Sequence, residues 1–263
     1  MYFTKMHGLG NDYLYVYGEV PSDIADLSIK LSDRHFGAGS DGMIYISSSS
    51  VADFKIRIFN ADGSEAKMCG NGIRCVGKYV YDKGYTDKKY LKIETLSGIR
   101  YLDLQVSGGK VKSVTVDMGK AVPEEDRTLT VDGETVVCTP VLVGNPHAVI
   151  FVKDMETAPL TTLGPKIERH EAFPGGVNVE FVQVLGDGEL RMRVWERGSG
   201  VTMACGTGAC ASVAAAVKKK LCRPDELISV HLDGGTLKIK VDRENKVTMT
   251  GPAEFVYEGD TIE

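Results

Sequence analysis

Cys69-Gly70-Asn71-Gly72 and Cys205-Gly206-Thr207-Gly208 stand 136 residues apart, and the Cys-Gly-x-Gly pattern they share recurs together with its surroundings. Phe59-Asn60 falls on Trp195-Glu196 at the same offset. Gly10-Asn11 matches Gly144-Asn145 at 134, Arg34-His35 matches Arg169-His170 at 135, and Leu96-Ser97-Gly98 matches Asp233-Gly234-Gly235 at 137. Offsets this steady over so much chain mark an internal duplication.

Each copy reads alike. A Gly-Asn loop leads into an apolar strand, then a helix is expected over residues 22–34 and again over 163–169. Residues 53–60 and 189–197 alternate apolar with polar, as strands do when one face is buried. The Cys-Gly-x-Gly turn opens an apolar helix, 71–83 in the first copy and 207–220 in the second. The second is Ala-rich and ends in Lys218-Lys219-Lys220, which suits the negative end of a helix dipole. Hairpins over 90–117 and 227–250 close the copies, and residues 119–127, with Pro and three acidic side chains, read as the crossing between them. The fold class is therefore α+β: two pseudo-symmetric domains, each a mostly antiparallel curled sheet around a central helix, with the active site expected in the cleft between them. The expected domains are residues 1–117 with 250–263, the C-terminal strand returning to the first copy, and residues 118–249.

Composition narrows the function. The chain has 263 residues, with 31 Lys and Arg against 36 Asp and Glu, a net charge of −5. That balance, without a basic run, argues against nucleic acid as a partner. No apolar run approaches the ~20 residues that span a bilayer, and the first residues lack the build of a signal peptide, so no membrane and a cytoplasmic location are expected. Six cysteines lie at 69, 75, 138, 205, 210 and 222. None is arranged as C-x-x-C, so neither a metal site nor a disulfide framework is expected. Cys75, Cys138, Cys210 and Cys222 read as small buried apolar residues, Trp195 as core, and His35 and His170 as helix-end structure.

Cys69 and Cys205 read differently. A thiol just before a helix faces the positive end of the dipole, which favours thiolate and is expected to lower the pKa. The glycines that follow let backbone N–H groups approach an anion such as a carboxylate. Duplication would bring two such thiols to one ligand carbon. One then removes an α-proton as thiolate while the other returns a proton to the opposite face as thiol.

The residues that carry this chemistry lie in Phe3-Thr4-Lys5-Met6-His7-Gly8-Leu9-Gly10-Asn11-Asp12, Asn60-Ala61-Asp62-Gly63-Ser64, Met68-Cys69-Gly70-Asn71-Gly72-Ile73-Arg74-Cys75, Gly144-Asn145-Pro146-His147, Glu196-Arg197-Gly198 and Ala204-Cys205-Gly206-Thr207-Gly208. Together, and in this order along nearly the whole chain, they resemble the diaminopimelate epimerase family. The resemblance implies interconversion of LL- and meso-2,6-diaminoheptanedioate in lysine and cell-wall precursor synthesis, without pyridoxal phosphate, metal or other cofactor. It makes Cys69 and Cys205 the acid–base pair. It places Asn11, Asn60, Gly70, Asn71, Asn145, Asn178, Glu196, Arg197, Gly206 and Thr207 around the substrate, and has His147 and Glu196 adjust the cysteine pKa values. Tyr257, in Gly-Pro-x-x-x-Val-Tyr-Glu-Gly, resembles a dimer-contact tyrosine, so a homodimer is implied. Many relatives carry Gln after Asp where this chain has Asp41-Gly42, so a side-chain contact to substrate is lost there.

Taken singly, Asn11 and Asn145 read equally as turn residues, and Glu196-Arg197 as a solvated strand end. The rival functions are a proline or hydroxyproline racemase, a thiol redox sensor, and an amino-acid-binding protein without catalysis. The polar side chains available for a second stereocentre favour the longer dicarboxylate; proline would need a smaller, more apolar pocket.

Overall fold

In Phe54–Asn60 the residues Phe54, Ile56 and Ile58 are buried while Lys55 and Arg57 face outward, so one face of the strand is committed to a core. The same division repeats along the chain in a computed structural model that describes residues 1–186 and 188–261. Residues 262 and 263, part of the C-terminal return expected from sequence, lie outside the described residues. The chain divides into two compact units, Met1–Asp117 together with the segment from Gly251 onward, and Met118–Thr250.

The first unit contains β1 (Tyr2–Gly8), β2 (Asn11–Tyr17), α1 (Ile24–Ser32), β3 (Gly42–Ser47), β4 (Phe54–Asn60), β5 (Glu65–Ala66), α2 (Gly70–Asp82), β6 (Tyr90–Thr95) and β7 (Gly98–Ser107), and most of β8 (Lys110–Lys120). The second contains β9 (Val122–Pro123), β10 (Arg127–Val131), β11 (Glu134–Val143), β12 (Asn145–Val152), α3 (Leu160–Glu168), β13 (Asn178–Gly186), β14 (Glu189–Glu196), β15 (Gly200–Val201), α4 (Gly206–Lys218), β16 (Leu227–Leu232), β17 (Gly235–Val241) and most of β18 (Lys246–Gly251). The final strand, β19 (Glu254–Asp260), pairs antiparallel with β1, setting Tyr2 opposite Asp260 and Met6 opposite Phe255.

Within the units, among the described residues, β2–β3 and β4–β6 in the first and β12–β13 and β14–β16 in the second pair in parallel, against an antiparallel background that includes β1–β2, β3–β4, β6–β7, β11–β12, β13–β14 and β16–β17. Those exceptions occupy equivalent places, and the register agrees residue by residue. Met43 pairs with Phe59 as Val179 pairs with Trp195, and Tyr15 pairs with Ile44 as Val149 pairs with Glu180. Ile44 and Glu180 are thus the same position in two copies of one design.

α2 and α4 are the central helices. Ten of the thirteen residues of α4 are buried, and its alanines let strands approach closely. α2 is buried from Gly70 to Val80 even though it carries Arg74 and Lys78. Arg74 donates through Nε to the Pro252 carbonyl and through Nη1 to the Gly70 carbonyl and Asn71 Oδ1, and Lys78 Nζ reaches Asp82 and the Val111 carbonyl, so each buried charge has oxygen partners. The shorter α1 and α3 cover other faces. α1 closes a core of Phe3, Leu14, Met43, Tyr45 and Phe59; α3 closes one that includes Ile150, Phe173, Val179 and Phe181.

Several boundaries differ from the sequence reading. α3 starts three residues early, behind Pro159, which has no N–H to lose at a helix start. α4 stops at Lys218 because Lys220 takes φ 60°, outside helical space. The acidic segment expected to be plain crossing is partly strand. Its Glu125 and Asp126 pair with Lys218 and Lys219, so the basic run at the end of α4 has partners beyond the dipole.

Candidate active site

Cys69 and Cys205 are the N-cap residues of α2 and α4, with extended backbone at φ −136°, ψ 115° and φ −118°, ψ 110°. Each Sγ accepts the N–H of the glycine three residues on, Gly72 or Gly208, at 3.3 Å in both copies. A sulfur therefore fills the role that a Ser, Thr or Asp oxygen has in most caps. Cys69 is half-buried and Cys205 buried.

In the first unit the Cys69 thiol donates to Asn11 Oδ1 at 3.3 Å. Asn11 Nδ2 donates to Asp41 Oδ2 at 2.8 Å, and the Asp12 N–H reaches the same oxygen at 3.0 Å. Arg34 bridges Asp12 and Asp41, 2.8 Å from each, and Lys5 adds a contact to Asp12 at 2.8 Å. Burial raises the Asp12 carboxyl, but Arg34 and Lys5 outweigh it and leave its pKa lowered; burial raises that of Asp41. Asn60 closes its own turn through Ser64, at 3.0 Å. Asn71, in the first turn of α2, gives its Oδ1 to Arg74.

In the second unit Asn178 links two parts of the site: its Oδ1 accepts the Arg197 N–H at 2.9 Å and its Nδ2 lies 3.9 Å from the Cys205 sulfur. Thr207 Oγ1 lies 3.5 Å from the same sulfur. Glu196 accepts from Thr202 and also interacts with Cys205. Arg197 is exposed, its guanidinium donating to the Gly175 carbonyl at 2.9 Å. His147 is buried between Glu180, 2.7 Å from Nδ1, and Asn145, 3.2 Å from Nε2. The structure thus gathers Asn145, His147, Asn178, Glu196, Thr207 and Cys205 in one unit, and Asn11 and Cys69 in the other.

One expectation needs correcting. Helix N-terminal placement was expected to lower the thiol pKa, but that of Cys205 is raised well above the ordinary value. Burial is the main cause, with the Glu196 and Glu180 charges adding to it; the contacts from Thr207 and the Gly208 N–H pull the other way and lose. At Gly42, where no side-chain contact was expected, φ is 154° and a Cβ would lie 2.1 Å from the Phe59 carbonyl oxygen. No side chain fits between β3 and β4 at that point.

Sequence reading also missed Glu180 and the Arg34–Asp41–Asn11 chain. The available signal for Glu180 was one acid inside the apolar run Val177–Val182 of a strand whose neighbours are buried. Among the described residues no group of three or more His, Cys, Asp or Glu side chains is placed to hold a metal ion, and no helix is long and apolar enough to cross a membrane.

Comparison with known proteins matches this chain to the family described as diaminopimelate epimerase, over residues 3–123 and 139–256. The chain belongs to that family. It is 49% identical to the diaminopimelate epimerase of Acetivibrio thermocellus over 99% of this chain and 98% of that one. The diaminopimelate epimerase of Methanococcus maripaludis is 49% identical, over 99% of each chain. Among solved structures, a hydroxyproline epimerase from Agrobacterium vitis with bound trans-4-hydroxy-L-proline superposes with a TM-score of 0.74 at 18% identity, covering 98% of this chain and 91% of that one. A Bacillus anthracis phenazine biosynthesis protein of the PhzF family superposes at 0.76 and 17%, covering 100% and 99%. At such identities these two share the fold.

Proposed function

We propose that the protein interconverts LL- and meso-diaminopimelate, with Cys69 and Cys205 as the proton-transferring pair. The observation that carries the pairing is the duplicated cap: two thiols in matching backbone conformation, each on the third N–H of a central helix. A thiolate on one face of the α-carbon takes its proton, and the thiol on the other face gives one up. The carbanion charge passes into the α-carboxylate, where the N–H groups that open α2 and α4 stabilise it. The pair ends with its protonation reversed, ready for the other direction. Both proton transfers use only the two sulfurs.

Gly70, Asn71, Gly206 and Thr207 supply the helix openings; Asn11, Asn60, Asn145, Asn178, Glu196 and Arg197 hold the amines and the distal carboxylate. His147 and Glu196 set the charge around Cys205. The raised Cys205 pKa supports a resting thiol there, as the acid of the pair requires. Six free thiols suit the reducing cytoplasm. A homodimer through β19 is supported by Phe255, Val256 and Tyr257, exposed by 36%, 51% and 41% on one strand.

The test is incubation of LL-diaminopimelate with the protein in D2O without added cofactor. Meso product carrying α-deuterium is expected. Cys69→Ser and Cys205→Ser should each lose about 10²–10⁴-fold, the usual worth of a general acid or base. A near-native rate in either variant overturns the pairing, and faster exchange with L-proline overturns the substrate.

A further inference from the structure

α1 and α3 are matching helices of nine residues, and their buried positions agree one for one: Ile24 with Leu160, Ser28 with Gly164, Leu31 with Ile167 and Ser32 with Glu168. At the same offset Phe59 corresponds to Trp195 and Ala61 to Arg197. Gly164, Glu168, Trp195 and Arg197 therefore all differ in chemistry from their first-copy counterparts, and they form one connected group. A Cβ on Gly164 would lie 2.8 Å from Trp195 Cβ, so α3 rests against the indole with no side chain between. One turn further along α3 is Glu168, buried at the helix end. Its Oε2 accepts the Trp195 indole N–H at 2.7 Å, and its Oε1 accepts the Gly198 N–H at 3.0 Å. Trp195 and Gly198 flank Glu196-Arg197, so a single carboxylate holds both ends of the turn that carries Arg197.

We propose that Glu168 is a positioning residue for Arg197: by fixing the turn from Trp195 to Gly198 it aims the guanidinium at the distal carboxylate of the substrate. The inference rests on the proposed function for that carboxylate, and on the second unit alone for the rest. An indole N–H and a main-chain N–H can only donate, and each meets its own carboxylate oxygen, so these bonds have one sense. Glu168 also acts through its main chain. Its carbonyl accepts the Val177 N–H at 3.2 Å, which ties down the segment just before β13. That segment walls the arginine side chain. A Cβ on Gly176 would lie 2.8 Å from Arg197 Cδ, and the Gly175 carbonyl takes one of the five guanidinium N–H groups at 2.9 Å. With the Arg197 N–H on Asn178 Oδ1, both the backbone and the stem of this arginine are fixed while its charged end is exposed.

The first copy closes the same turn by other means. Ser28 Oγ donates to the Asn60 carbonyl at 2.9 Å, and Asp62 Oδ1 accepts the Ser64 N–H at 2.9 Å. Ser32 is taken up by Ser40, at 3.1 Å, and Phe59 has no N–H to offer. The turn there carries Ala61, which has no charge to aim. Acid, indole and guanidinium thus occur together in the copy that has a cation to place.

The test is a double-mutant cycle in the full chain, Glu168→Gln with and without Arg197→Ala, read as kcat and KM for LL-diaminopimelate. Glutamine has one side-chain acceptor, so E168Q leaves one of the two N–H groups facing an amide –NH2. The distal carboxylate keeps its charge throughout the proton transfers, so loosening its partner weakens ground state and transition state alike. E168Q should therefore raise KM about tenfold and lower kcat by less than about threefold. In R197A the same change should alter kcat/KM by less than about twofold. Equal penalties in both backgrounds overturn the proposal, because Glu168 would then support the unit and not Arg197. So does a fall in kcat with KM unchanged. If E168Q does not fold, Trp195→Phe keeps the ring and removes only the indole N–H. It should raise KM about threefold, and an equal rise in R197A overturns the proposal. Exchange of the Gly198 amide, followed by NMR, needs no substrate: it should be slow in the unchanged protein and fast in E168Q. If that holds while diaminopimelate is not turned over, the substrate reading fails and the tie to the turn stands; fast exchange in the unchanged protein overturns the tie itself.

Discussion

Cys205 shows how burial can reverse the effect of a helix end. A cap N–H and a dipole favour thiolate by about a kilocalorie per mole when exposed, but the same sulfur is buried and has Glu196 and Glu180 nearby, so the proton is held. Iodoacetamide labelling of Cys205, followed by peptide mass spectrometry from pH 7 to 10, should therefore show a midpoint above the ordinary ~8.5 of a free thiol. Glu196→Gln removes a negative neighbour of the thiolate, so the midpoint should move down. A midpoint below 8, or a rise in E196Q, would show that the dipole governs this sulfur. Cys69, half-buried against Asn11, offers the internal comparison in the same digest.

Strand pairing at β3–β4 leaves Gly42 no freedom. Gly42→Ala should cost at least about 1–3 kcal/mol from the left-handed backbone alone, and the overlap with the Phe59 carbonyl adds to it because neither atom belongs to a side chain that can swing away. Urea unfolding measures this, and a change under 0.5 kcal/mol would contradict the packing at this strand pair. Elements such as these were largely legible in sequence. The alternation in β4 and β14 and the paired caps follow from local residue order, and the start of each central helix was placed to within a residue. What escaped was set by neighbours distant in sequence. Lys218-Lys219-Lys220 read as the last turn of α4, yet the backbone at Lys220 ends the helix at Lys218, and α3 starts three residues before its expected place. Glu180 looked like a strand residue among many, because its importance comes from His147 on the adjacent strand and from Gly208 above it.

At the scale of the whole chain, the first unit is discontinuous and the second is not. β19 covers one edge of β1 from Tyr2 to His7, Pro252 supplies a carbonyl to buried Arg74, and Tyr257 bonds the Ala38 carbonyl at 2.8 Å. Deleting residues 252–261 should therefore loosen the first unit and spare the second. Hydrogen-exchange mass spectrometry should find lost protection in β1 and α2, with peptides of β12–β14 and α4 unchanged; equal loss in both would show that the units do not fold separately. The same layout sets an order of events during synthesis. Every residue of Met118–Thr250 is made before β19, so the second unit has all its strands synthesised first. The first unit, begun earliest, waits for its closing strand through the making of its neighbour, with β1 short of a partner along one edge. In this chain the half translated first is the half completed last, and its unpaired edge is where a chaperone would have the longest time to bind.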